Sequence, residues 1–192
     1  MPDIKNPKAA IPVVLLAGIF WSFGPYVVRH IDQPQLVPWQ YLFTRGLVIF
    51  ILLNVYLYLN EGSKFYKNYS KIGISGILGG VGLATAMITF IWSISNTTAA
   101  VTLLCLAAMP FITALLGFMF LKEKISMTVW ISILVATFGI AVMAFGNVEK
   151  NTLTGLIFGL ASALGFSIFS VTLRWRKSTP KFTTVAIAGL FC

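Results

Sequence analysis

Residues 72–121 read IGISGILGGVGLATAMITFIWSISNTTAAVTLLCLAAMPFITALLGFMFL, fifty positions without one Asp, Glu, Lys or Arg. A helix rises 1.5 Å per residue, so roughly 20 apolar residues cross the hydrocarbon core of a bilayer, which is about 30 Å thick. The stretch therefore holds two spans, Ile72–Ser95 and Ala99–Leu121, joined by a short polar turn. Carried outward, the same arithmetic gives Ala9–Val28 and Pro38–Leu59 before it, and Met127–Phe145 and Leu153–Leu173 after it. A seventh apolar run opens near Phe182 and reaches Cys192. Half a spanning helix would leave backbone polar groups unsatisfied in lipid, so the expectation is an N-terminal piece of a longer protein. The first span carries Trp21 and Pro25 and lacks a small-residue cleavage site, which marks it as a retained helix and not a signal peptide.

Composition agrees with the spans. Of 192 residues, 58% are hydrophobic and 10% charged, with a mean hydropathy of +0.89. A soluble domain is about 25% charged and could not hide this much apolar surface. A cytosolic enzyme, a disordered chain, a nucleic-acid-binding module and a secreted disulfide scaffold are all excluded. Cys105 and Cys192 offer no disulfide or metal spacing, and no cofactor is expected. The chain is an all-α integral membrane protein whose first partner is the lipid bilayer.

The net charge of +9 reports orientation, not an affinity for nucleic acid. Lys5, Lys8, Lys64, Lys67, Lys71, Lys122, Lys124, Arg174, Arg176, Lys177 and Lys181 fall on one side of the membrane, eleven in all. Only Arg29 and Lys150 fall in the loops of the other side. By the positive-inside rule the N-terminus is cytoplasmic. The first span shifted by 145 residues matches the sixth at Leu15 and Leu160, Ser22 and Ser167, and Arg29 and Arg174, with Trp21 on Phe166. Span one runs outward and span six inward. Five helices followed by an inverted copy is a transporter architecture with its site between the halves.

The run from Ala99 through Pro110 and Gly117 to Leu121, Glu123 and Lys124 resembles the fourth helix of EamA-type members of the drug/metabolite transporter superfamily. Trp39 to Arg45 (WQYLFTR) resembles the family's second helix, and Ile94 to Thr98 (ISNTT) its turn between helices three and four. The resemblance implies an inverted-repeat bundle of ten helices, here truncated to six complete spans plus part of a seventh. Residues 9–145 would be the first five-helix repeat and 153–192 the start of the second. It also implies a multi-pass protein of the bacterial inner membrane that moves a small metabolite, amino-acid-like or drug-like solute by alternating access. The rival expectation is a non-transporting bundle that serves as structural or regulatory partner of another complex.

Six residues are candidates for contact with a solute: Trp21, Arg45, Thr89, Trp92, Asn96 and Ser167. Arg45 is the only charge well inside a span, about 10 Å below its outer boundary. It either forks a carboxylate or snorkels outward beside Tyr41. Thr85, Thr89, Trp92 and Asn96 share one face of span three, while Gly76, Gly80 and Ala84 form a small-residue stripe on another. The polar face either lines a cavity or is spent on backbone hydrogen bonds and the interfacial aromatic belt. Gly155, Gly159 and Ala163 repeat the small stripe in span six, where packing is expected. Pro25 and Pro110 are candidate kinks. No span holds an acidic residue, and His30 stands alone in a loop. Neither proton-coupled exchange through a membrane carboxylate nor catalysis has residues to run on.

Overall fold

The computed structural model describes residues 7–29, 37–145 and 150–192, and among these all regular structure is helical. The side chains of Ser22, Pro25 and Arg29, together with His30 and residues 146–149, lie outside the described set. The elements are α1 (Pro7–Arg29), α2 (Val37–Glu61), a 3-10 turn (Gly62–Phe65), α3 (Tyr66–Lys71), α4 (Gly73–Asn96), α5 (Ala99–Leu106), α6 (Met109–Leu121), α7 (Met127–Phe145), α8 (Lys150–Trp175) and α9 (Lys181–Phe191). Among the described residues, four helical stretches are long and apolar enough to cross a membrane: Trp39–Lys71, Gly73–Asn96, Ala99–Leu121 and Leu153–Trp175.

Helix α4 is the axis of the bundle, packed by α8 and α9 and touched by α1, α2 and α5. Lipid tails are as apolar as leucine, so helices associate through close packing and interhelical hydrogen bonds instead of hydrophobic expulsion from water. Two ladders of small residues on α4 serve two neighbours. Gly80 lies against Ile187 and the Thr184 carbonyl of α9, which is the work of the stripe read from the sequence. The second ladder was not anticipated. Gly79, Gly82 and Ala86 face α8, and a Cβ built on Gly165 would stand 2.6 Å from the Gly82 carbonyl oxygen and 2.9 Å from the Ala86 nitrogen. The backbones of α4 and α8 touch there.

Hydroxyls staple the same interface. Ser162 donates to the Ala86 carbonyl at 2.8 Å, and Ser93 donates to the Gly155 carbonyl at 2.7 Å while lying 2.8 Å from the Thr102 hydroxyl. Gly155 and Gly159 let these groups approach, the first beside Thr97 and the second beside Cys105 and Ser93. We expect Ser93→Ala to cost about 1 kcal/mol, the scale of buried polar contacts between membrane helices. Reversible unfolding in mixed micelles would measure it, and an unchanged midpoint would remove the staple from the account.

Of two local features, the first is the kink expected at Pro110 and the second departs from the expectation. The fourth span bends at Ala107–Ala108 into α5 and α6. Pro110 has no N–H to give the Leu106 carbonyl, and its ring would strike that carbonyl in a straight helix. The turn instead closes through tighter bonds, from Ala108 N–H to the Cys105 carbonyl and from Phe111 N–H to the Ala108 carbonyl, each 3.1 Å. The segment after α2, expected as a loop, is helical. Phe65 is buried against Tyr58, Tyr66 and Tyr69, and the Tyr69 hydroxyl donates to Asn54 at 2.7 Å. Gly62 (φ +59°) and Gly73 (φ +58°) take the left-handed turns that open and close it, a conformation glycine adopts without steric cost.

Candidate functional site

Trp21 of α1 stands between two cavities. One, of about 200 Å³, is enclosed by Phe20, Trp21 and Gly24 of α1, Tyr41 and Arg45 of α2, and Phe90 and Ile91 of α4. The other, an open groove of about 530 Å³, lies where Gly18 and Trp21 face Leu103 and Ala107 of the fourth span, with Phe166 of α8 on its wall. The larger volume falls within the several-hundred-Å³ range usual for small-molecule sites. The Trp21 and Phe166 rings pack at 5.8 Å and 54°, so the indole is held at the joint of the two spaces.

Chemically the two cavities differ. The larger one is walled by hydrocarbon. The smaller carries the half-buried Arg45 guanidinium among aromatic rings. The ion pair between Arg174 and Glu123 is the only one among the described residues, so Arg45 has no carboxylate there. A guanidinium removed from water without a counter-charge is costly, and it offers a planar fork to an anion. No three His, Cys, Asp or Glu side chains gather as a metal site among the described residues.

Of the six candidates, Trp21 and Arg45 are brought to one cavity. The other four are placed elsewhere. Thr89 returns its hydroxyl to the Thr85 carbonyl at 2.7 Å, and Asn96 donates to the Trp92 carbonyl at 2.7 Å. Trp92 belongs to an aromatic ladder, 5.9 Å from Trp39 and 6.0 Å from Phe158. Ser167 is fully buried and donates to the Ala163 carbonyl at 2.7 Å and the Met109 carbonyl at 3.1 Å. The α4 residues that line the smaller cavity are Phe90 and Ile91, which sequence reasoning passed over in favour of polar neighbours. Phe166 carried a signal in the sequence, since the 145-residue shift already set it opposite Trp21.

The structure is thus a polytopic helical bundle with glycine-mediated crossings and with cavities beside a proline-broken helix. The EamA-like transporter family matches residues 8–145, and the chain belongs to that family. It is accordingly a membrane protein of a transporter family and not an enzyme. Two Helicobacter pylori proteins, from strains J99 and 26695 and each described as an uncharacterized transporter, are 26% and 25% identical to it over 167 residues. The match covers 85% of this chain and 54% of each relative, so the chain spans about half the length of the curated relatives it matches. No solved structure matches.

Proposed function

We propose that the chain is the first repeat, and the opening of the second, of a ten-helix inverted-repeat transporter that moves a small metabolite-like solute by alternating access. The observation that carries this is the pair of cavities joined at Trp21, one hydrocarbon-walled and one holding a guanidinium with no carboxylate partner among the described residues. On this reading α1 and α7 are spans alongside the four stretches named above, six in all, and α9 opens a seventh. The repeat has a structural correlate. A shift of 143 residues lays α2 on α9 and places Gly46 on Gly189 and Leu47 on Leu190. Those two glycines meet each other, because a Cβ on Gly189 would lie 2.7 Å from the Gly46 carbonyl and one on Gly46 would collide with the Gly189 carbonyl. Equivalent residues in mutual contact are what a two-fold axis through the crossing requires. The position equivalent to Arg45 is Ala188, so the charge belongs to one repeat only.

Solute enters, on this proposal, between α1 and the α4/α8 core, with Arg45 taking an anionic group and the Trp21–Phe166 rings its apolar body. In a solid, non-transporting bundle Arg45 would serve only as a snorkelling anchor. The test is reconstitution of the full-length protein in vesicles and counterflow of a pooled metabolite set, combined with labelling of Trp21→Cys. Transported solute should slow the labelling. No flux for any member of the pool, with labelling indifferent to all of them, would sink the proposal. Orientation is tested separately in intact cells. An impermeant thiol reagent should mark Lys150→Cys and spare Lys67→Cys, and the reverse pattern would invert the topology.

A further inference from the structure

A third cavity, of about 440 Å³, opens between α4, α6 and α8 at the end of the bundle where α6 and α8 stop. Leu78, Leu116, Phe120, Ile168, Val171 and Trp175 make its walls nearly pure hydrocarbon. Its rim is cationic. Leu121, at the lip, is followed by Lys122 and Lys124, and Trp175 is followed by Arg176 and Lys177, all four exposed. Glu123 does not neutralise them, because its carboxylate is engaged by Arg174 at 3.0 Å. Arg176 reaches toward α4, where its Nη1 would lie 2.8 Å from a Cβ built on Gly73. Gly73 begins α4, so the positive end of that helix faces the same rim.

We infer that this slot seats one anionic phospholipid from the surrounding bilayer, with an acyl chain between α4, α6 and α8 and its phosphate on Lys122, Arg176 and Lys177. An apolar slot alone accepts any tail; the rim selects the charge of the headgroup. Trp175, 58% exposed, stands between slot and rim where an interfacial indole belongs. Basic residues beside an anionic headgroup contribute roughly fivefold each to binding. The Arg174–Glu123 pair links α8 to the segment that follows α6 beside the slot.

The test is native mass spectrometry of the purified protein titrated with phosphatidylglycerol or with phosphatidylcholine of the same tails. Phosphatidylglycerol should be retained at least tenfold better. The triple variant Lys122→Gln, Arg176→Gln, Lys177→Gln changes only exposed side chains, and it should lose that preference while keeping the weak phosphatidylcholine binding. Leu78→Trp, which fills the slot from α4, should lower retention of both lipids. Glycerol 1-phosphate, the headgroup without tails, should not displace the bound lipid. Equal retention of the two lipids, a preference that survives loss of the three charges, or displacement by glycerol 1-phosphate would each overturn the assignment.

Discussion

Gly165→Val is expected to leave almost no folded protein. A Cβ at residue 165 would stand 2.6 Å from the Gly82 carbonyl oxygen, 2.9 Å from the Ala86 nitrogen and 3.0 Å from the Ala86 Cβ. Two of those three atoms are backbone of α4, so no rotamer change relieves the contact and the helices must separate. Separation would also break the Ser162 to Ala86 hydrogen bond one turn away. Overpacking a well-filled contact costs about 1–3 kcal/mol, and more where backbone must move. Gly165→Ala, whose Cβ already meets that backbone, should cost about 3 kcal/mol or more, and valine more again. Gly18→Ala is the control, since nothing lies within 4 Å of the Cβ it would add. Yield of monodisperse protein and the thermal midpoint in detergent measure both. A Gly165→Val protein as stable as the parent would mean that α4 and α8 do not cross at their backbones.

Arg45→Ala should slow transport strongly while leaving insertion intact, and Arg45→Lys tells why. Hydrogen bonds to a charged group contribute about 1.5–3 kcal/mol, so loss of a guanidinium fork corresponds to a fall of about 10- to 150-fold in the uptake rate at low solute concentration. An ammonium keeps the charge but not the bidentate geometry, and lysine should restore only a small part of the rate. A snorkelling anchor behaves otherwise, because both stems reach the interface and lysine would restore everything. Measured with whichever solute the reconstituted protein carries, normal kinetics in Arg45→Lys would return Arg45 to a structural role and move the site toward the larger cavity.

The helical bundle was legible because membrane insertion is decided by the content of each segment, and the fifty uncharged residues from Ile72 to Leu121 leave one solution. The pairing of faces was legible only in part. Gly76, Gly80 and Ala84 announced one close contact of α4, but Gly79, Gly82 and Ala86 offer another with equal right. Spacing marks a small-residue face without naming its neighbour. The cavity lining was read least well, for a physical reason. Inside lipid a threonine, serine or asparagine can satisfy itself on the carbonyl one turn back, as Thr89, Asn96 and Ser167 do, and then carries no obligation to face a solute. Arginine has no such local remedy, which is why Arg45 could be found from sequence alone.

The meeting of Gly46 with Gly189 also has a consequence for biogenesis. The two residues are 143 positions apart, and a ribosome adding 5–20 residues per second needs roughly 7–30 s to travel between them. Helix α2 is therefore laid into the membrane long before the surface it is shaped to meet exists, and its glycine notch faces lipid or the insertion machinery meanwhile. The partner of α4 at Gly82 arrives late as well, 83 residues downstream. Assembly of these contacts thus waits on α8 and α9. The interval is one in which a chaperone, a translocon contact or a second nascent chain competes for the same notches, and slowed translation between α4 and α9 should raise misassembly before it alters the finished protein.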